Sequence, residues 1–430
     1  MANIQENSKY IPRQIFPKIA KHLTENKEIT LIIGPRQVGK TVLLHQLQKY
    51  LIQKEVNPQD IYYFNLDIIK DRDLFTDQTE FIQFLKNKSQ KGKIYVFVDE
   101  AQKVKEAGVF FKGVYDSDLN VKLVLTGSSS LEIRAKINES LTGRKRIFYL
   151  LPFSFAEILR YHNPQLADLI EQKTKITAVE QKEILALFFS YCVYGGYPQV
   201  VTVPDSAEKE EFLREIFTSY VEKDIIGFLK VENENNFIKL VKLLATQVGN
   251  LINVSELSSL VQTDRQTVER YLLNLAKTFI IYPLQPFYSN PRQELVKANK
   301  IYFLDNGLRN LSLDNFKIPL PDRGDKGILL ENAVLKELLI LKYQQNFNLK
   351  FWRSKQKAEV DFIIEQGLEA LPVEVKFDLS GDKLSASFLG FIKRYQPKRA
   401  IVVNLGYHGE RKIGPTKIFF ILPYELSFYL

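Results

Sequence analysis

The sequence predicts an α/β protein of several domains, and three observations carry that prediction. A β-rich run, Glu28-Ile29-Thr30-Leu31-Ile32-Ile33, ends at Gly34 and leads into a loop and an apolar-periodic stretch, Val42 to Leu51, that reads as a helix. A second apolar run, Ile94-Tyr95-Val96-Phe97-Val98, passes straight into two acids, Asp99-Glu100. Near the other end, strand-like arms Glu359–Ile364 and Leu371–Lys376 flank a turn at Gln366-Gly367 and carry acids and a lysine at alternating positions.

A chain of 430 residues exceeds one ordinary domain, and 45% hydrophobic with 25% charged residues is the balance of a soluble globular protein. No apolar run reaches the roughly 18 residues of a membrane span, and the opening MANIQENSKYIPRQ lacks the apolar core of a secretory signal. The single cysteine, Cys192, has no internal partner, and four histidines make no zinc pattern. The expectation is a cytoplasmic protein without membrane contact. Net charge is +9, but residues 166–235 carry 7 basic against 13 acidic side chains. A polyanion would therefore favour the flanking regions.

The loop Gly34-Pro35-Arg36-Gln37-Val38-Gly39-Lys40-Thr41 has the spacing of a phosphate-binding P-loop. Gly34 and Gly39 let backbone N–H groups turn towards phosphate oxygens. Lys40 is placed to reach the terminal phosphates of ATP, Thr41 to enter the shell of a Mg2+ ion, and the following helix adds its positive dipole end. Asp99 is expected to hold the magnesium and Glu100 to polarise the attacking water. The next β-run, Val121 to Leu125, ends in Thr126-Gly127-Ser128-Ser129-Ser130, where Thr126 or Ser128 suits sensing of the γ-phosphate; a Gly/Ser turn with satisfied hydroxyls is the alternative. Positive charge gathers in Ser140-Leu141-Thr142-Gly143-Arg144-Lys145-Arg146. Arg144 there is read either as an arginine finger, within its own chain or on a neighbour's site, or as part of a solvated basic turn.

These strings, with Leu151-Pro152-Phe153-Ser154-Phe155-Ala156-Glu157 after them, resemble the prokaryotic AAA-type ATPases fused to a C-terminal domain of unknown function. The resemblance spans nearly the whole chain and implies an AAA-type core over residues 1–165 and a helical lid over 166–235. Gly195-Gly196-Tyr197-Pro198 and Tyr220-Val221-Glu222-Lys223-Asp224-Ile225 match signposts of that lid, and packing is the expected role of both. Helices are expected from Glu180 to Val193 and from Lys209 to Leu229.

Over residues 236–320 a helix at Val254–Val261, a turn at Gln262-Thr263-Asp264, a helix from Arg265 to Lys277 and two strand-like runs, Phe279–Phe287 and Lys300–Leu304, follow the order of a winged helix-turn-helix. Thr263 and Gln266 have capping-box spacing. Arg265, Arg270 and Lys277, with Lys297 and Lys300 on the wing, are candidates for DNA phosphate contacts; a protein-contact module is the alternative.

Residues 321–430 complete the expected organisation. Glu331 lies on an amphipathic helix, Asp361 on one arm of the hairpin, and Glu374 and Lys376 on one face of the other. Helix acid, then V-D-F-I, then V-E-V-K has the order of a PD-(D/E)xK, restriction-endonuclease-like α/β domain, with Val360 where the motif has its proline. Glu331, Asp361 and Glu374 would hold a metal and Lys376 would position water. An ordinary surface hairpin with a Glu/Lys pair is the bland reading. The expected function is ATP binding and hydrolysis by an AAA-type ATPase, acting on or with DNA through its C-terminal half and forming a homo-oligomer if Arg144 serves in trans. The rivals are a signalling or scaffold switch with an inactive nuclease-like domain, and an ATP-regulated nuclease.

Overall fold

Strands buried on both faces lose polar alternation, and Ile29–Ile33 (β1) and Ile94–Asp99 (β3) are buried at every position. The computed structural model describes residues 10–127, 141–219, 233–287, 298–317, 319–367 and 369–430. Among these, β1, Ile61–Asn65 (β2), β3, Val121–Gly127 (β4) and Lys145–Tyr149 (β5) form a five-stranded sheet in the order β2-β3-β4-β1-β5, parallel throughout. The helix Lys40–Gln53 buries Leu43, Leu44, Leu47 and Leu51, the stripe that a 3.6-residue period places on one face. The chain leaves β1 for β2 past β4 and β3, so the carboxyl end of β1 is a switch point, where open α/β sheets bind ligands.

The compact units divide the chain at Pro152 and not at 165. One is Pro12–Pro152 with Lys277–Phe279; the other includes Phe153–Ala276 and Ile280–Leu430. Phe153 falls with the second because its N–H donates to the Gly196 carbonyl at 2.7 Å, and the Phe155 N–H donates to Glu337 Oε1 at 2.9 Å.

The three parts expected beyond 165 form a single unit. Ile281–Pro286 (β6) and Lys300–Phe303 (β7) pair as an antiparallel hairpin. β6 also pairs in parallel with Asn348–Arg353 (β8), which joins the hairpin to the last sheet. With Glu359–Gln366 (β9), Glu369–Lys376 (β10), Arg399–Asn404 (β11), Gly409–Ile413 (β12) and Thr416–Ile421 (β13), the order is β12-β13-β11-β10-β9-β8-β6-β7. The helix Ala386–Tyr395 packs Phe388, Phe391 and Ile392 onto Trp352, Val360 and Ile363 of that sheet.

The helices Val254–Val261 and Arg265–Lys277 are present, but the second starts on a different cap. Asp264 Oδ1 accepts from the Thr267 N–H at 2.9 Å, whereas the Thr263 N–H goes to the Ser258 carbonyl. A carboxylate one residue nearer the helix takes the capping role assigned to Thr263. Ala178–Tyr194 forms with a Thr177/Glu180 capping box, and Ser206–Ser219 is helical. The signpost Tyr220 to Ile225, Asn290-Pro291, Lys297 and Ser128 to Ser140 lie outside the described residues.

Gly195-Gly196-Tyr197-Pro198 ends the helix Ala178–Tyr194 and packs tightly. Gly195 has φ +77°, and a Cβ there would meet Asp305 Oδ1 at 1.7 Å. The Tyr197 side chain is fully buried. Packing is what the structure shows for this string.

Candidate functional site

The loop between β1 and the helix Lys40–Gln53 is held from three sides. Gly34 lies so close to the Leu150 carbonyl that a Cβ would sit 2.0 Å from its oxygen, which excludes any other residue there. Gly39 caps the helix at φ +90°, a conformation that L side chains rarely adopt. Arg13 donates from Nη1 to the Val38 carbonyl at 3.0 Å and from Nη2 to the Leu151 carbonyl, tying the loop to the end of the unit. Arg13 was missed in the sequence because it stands 21 residues before the motif it braces.

Lys40 is 6% exposed and donates to the carbonyls of Gly34 (3.1 Å) and Pro35 (2.7 Å) of its own loop. A buried ammonium needs partners, and these carbonyls supply them. Beside it, Asp99 is 2% exposed at the end of β3. Its Oδ2 accepts from Thr41 Oγ1 at 2.6 Å and from Tyr63 Oη at 3.2 Å, and its Oδ1 accepts from Thr126 Oγ1. Burial, and then the Asp99 charge, pushes the Tyr63 phenol well up, which keeps it a proton donor.

Thr126 does more than end a strand. Fully buried, its hydroxyl donates to Asp99 while accepting the Glu100 N–H at 3.1 Å, so one side chain orients both acids. Glu100 stands at φ 58°, turned out of the strand direction, and its Oε2 accepts from Gln102 Nε2. Ser128, the alternative to Thr126, lies outside the described residues.

Arg144 is displaced from the place an in-chain finger requires. It precedes β5, its carbonyl accepts the Ile29 N–H at 2.9 Å, and its guanidinium is forked onto Asp116 at 2.6 and 3.1 Å. The phosphate loop follows the far end of the parallel partner β1, about 13 Å of strand away at ~3.3 Å per residue. The own-chain finger is thereby corrected.

In the second unit the structure draws the expected acids near one another. Continuing the β9–β10 register sets Asp361 opposite Glu374, and Asp361 Oδ2 accepts the Val375 N–H at 2.7 Å. Glu374 Oε1 accepts from Ser385 Oγ at 3.0 Å and pairs with Lys376 at 2.9 Å. Glu331, on the helix Lys326–Gln345, accepts from Tyr302 Oη at 2.6 Å. Burial and then the Asp361 charge push Glu331 and Glu374 each up to about 7, and burial raises Asp361 as well.

With Lys300 seated among them, these acids do not present a ready metal site. Among the described residues, no three His, Cys, Asp or Glu side chains form a group fit to hold a metal ion. Glu331, Asp361 and Glu374 each spend an oxygen on a protein donor. Lys300, expected on an exposed wing at phosphate, is instead 1% exposed, paired with Glu359 and 3.9 Å from Glu331. Of the other DNA candidates, Arg265 and Arg270 are exposed on the helix Arg265–Lys277, although Arg265 Nε already donates to Glu269 at 2.9 Å.

A buried polar network in this unit has no local signature in the sequence. Asp305 accepts from the Gly196 N–H (2.8 Å), the Gly307 N–H (2.9 Å) and Lys336 Nζ (2.9 Å), with Asp305 and Lys336 both buried. Asn306 donates to the Cys192 and Leu329 carbonyls, Asn310 to the Val193 carbonyl, and Asn332 to the Phe303 carbonyl.

In comparison with known proteins, residues 26–159 match the family model described as an AAA domain. Residues 185–317 and 326–426 match two domains of unknown function, DUF8612 and DUF4143. An uncharacterized protein of Haemophilus influenzae is 27% identical over 93% of this chain and 94% of its own length. The uncharacterized protein MJ1544 of Methanocaldococcus jannaschii is 28% identical over 94% and 85%. Among solved structures, the Walker-type ATPase PABY2304 of Pyrococcus abyssi aligns at TM-score 0.45 and 15% identity, covering 71% of this chain and 97% of its own. The ORC2 protein of Aeropyrum pernix aligns at 0.38 and 13%, covering 77% and 97%. The stretch that matches the AAA domain, residues 26–159, contains the parallel sheet of β1 to β5. No helix among the described residues is long and apolar enough to cross a membrane.

Proposed function

We propose that this protein binds and hydrolyses ATP with Mg2+ and uses the nucleotide state to direct its second unit, which acts on or with DNA without cutting it. The observation that carries the ATPase reading is the convergence of Lys40, Thr41, Asp99, Thr126 and Glu100 at the carboxyl ends of β1, β3 and β4. Hard oxygen donors on Thr41 and Asp99 suit Mg2+, which would neutralise phosphate charge when bound. Lys40 exchanges its loop carbonyls for phosphate oxygens, the N–H groups of Gly34 to Thr41 cradle the phosphate chain, and Glu100 takes a proton from water. Arg144 is left for a neighbouring copy in a homo-oligomer.

Lys40→Ala is expected to abolish tight ATP binding while the fold survives, since the bonds lost to the Gly34 and Pro35 carbonyls are worth about 1 kcal/mol each. Calorimetry with ATP, alongside circular dichroism, checks both halves. Wild-type affinity in the folded variant would remove the P-loop assignment.

The DNA reading rests on the basic excess of the chain and on the exposed arginines of the helix Arg265–Lys277. The last sheet, with its ordered acids, is read as a restriction-endonuclease-like module kept for binding. Arg265→Ala with Arg270→Ala is expected to weaken DNA binding for all sequences alike and to flatten the log–log salt slope by about 1 per arginine. A salt series by fluorescence anisotropy measures this; an unchanged slope takes the helix out of the interface.

A further inference from the structure

The carboxylate face of the second sheet already holds a cation, and that cation belongs to the chain. Lys300 opens β7 with its side chain inside the unit, its ammonium paired with Glu359, 3.9 Å from Glu331 Oε1 and 5.4 Å over the Phe351 ring. Two residues on, on the same face of the strand, Tyr302 donates to Glu331. The field of Glu331, Asp361 and Glu359 keeps Lys300 charged against the pull of burial.

An ammonium enters a protein interior only where opposite charge and hydrogen bonds repay its lost hydration. Around Lys300 stand two of the acids a divalent ion would use, Glu331 from the helix and Asp361 from β9, with Glu359 of β9 beside them. Across the register, Glu374 is 4% exposed and its Oε2 has no hydrogen-bond partner among the described residues. The face therefore has more electron-pair capacity than its lysines fill. We propose that Lys300 is a tethered substitute for a divalent cation, placed by the β6–β7 hairpin among these acids so that the site is closed to metal in the native protein. Tethering favours it, because a covalently held ammonium competes at a high effective concentration. The hairpin thus has a role in the acid site beyond its own pairing, and the inference stands apart from the nucleotide reading.

The test uses the full-length chain without nucleotide and Mn2+ as the only probe. Wild type, Lys300→Met and Lys300→Gln are titrated by calorimetry, each with and without Asp361→Asn, which removes the contribution of any metal bound elsewhere. Wild type is expected to show no Asp361-dependent uptake. Both Lys300 variants are expected to bind Mn2+ at least ~10-fold more tightly than wild type, and to lose that gain with Asp361→Asn. Asp361-dependent binding by wild type overturns the proposal, as do folded Lys300 variants that take up none. Should those variants unfold without metal, the fluorescence of Trp352 reports whether Mn2+ restores them. Failure to do so marks Lys300 as a structural ion-pair partner and equally overturns the proposal.

Discussion

Glu100→Gln is expected to leave ATP binding within about twofold of wild type and to lower turnover by about 10²–10⁴, the usual contribution of a positioned proton acceptor. The substitution isolates chemistry from structure. The Glu100 backbone N–H still donates to Thr126 Oγ1, so the unusual φ of 58° is retained. The amide carbonyl still accepts from Gln102 Nε2, as the carboxylate does. Lys40, Thr41 and Asp99, the groups proposed to meet phosphate and metal, are untouched. What disappears is the basic oxygen. Thr126→Ala makes the informative contrast, because it releases Asp99 and the Glu100 N–H together and should weaken both binding and turnover. Calorimetry with ATP and a phosphate-release assay on the same preparations separate the two effects. Turnover in Glu100→Gln above about a tenth of wild type would leave Glu100 as a structural residue, and another base would have to be sought.

The parts of this site that were legible in the sequence are local. A strand buried on both faces, a loop with two glycines and a helix follow one another over residues 28–53, so period and spacing alone identify them. Asp99-Glu100 is legible for the same reason. The parts that were not legible are tertiary. Arg13 reaches the loop from before β1, and Tyr63 reaches Asp99 from the neighbouring β2; neither has a periodic signature. Gln102 was in view, two residues from Glu100, but only the turn after β3 aims its amide at the carboxylate.

Lys300 shows a different failure. By charge alone it reads, with Lys297, as a wing residue facing DNA. Its strand, Lys300-Ile301-Tyr302-Phe303, is buried at all four positions, and a run covered on both faces has no solvent side for a lysine. The apolar residues at 301 and 303, with a tyrosine at 302, carried that signal. The last sheet also runs across the expected boundary at 320. Composition separates a hairpin from the sheet that follows it, but the parallel pairing of β6 with β8 makes them one structure.

The string Asp305-Asn306-Gly307-Leu308-Arg309-Asn310 has the composition of a surface turn, yet the structure buries it between Gly196 and the helix Lys326–Gln345. Asp305→Ala is therefore expected to destabilise the second unit by about 3–5 kcal/mol, the cost of leaving one member of a buried ion pair without the other. Three donors lose their acceptor at once: the Gly196 N–H, the Gly307 N–H and Lys336 Nζ. Lys336 is 2% exposed and has the Tyr191 ring at 4.7 Å, which cannot replace a carboxylate. Lys336→Met in the same chain should return part of the loss, since a linear apolar side chain fills the space without a charge to solvate. Gly195→Ala should cost stability through the same contact, because its Cβ would strike Asp305 and its φ is positive. The chain's one tryptophan, Trp352, lies in β8 of this unit, so urea unfolding followed by its fluorescence reports on the right part of a chain that need not unfold in one step. If Asp305→Ala unfolds within about 1 kcal/mol of wild type, the pair does not hold the unit together. If the double variant is no more stable than Asp305→Ala alone, the loss comes from the two backbone donors and not from the stranded lysine.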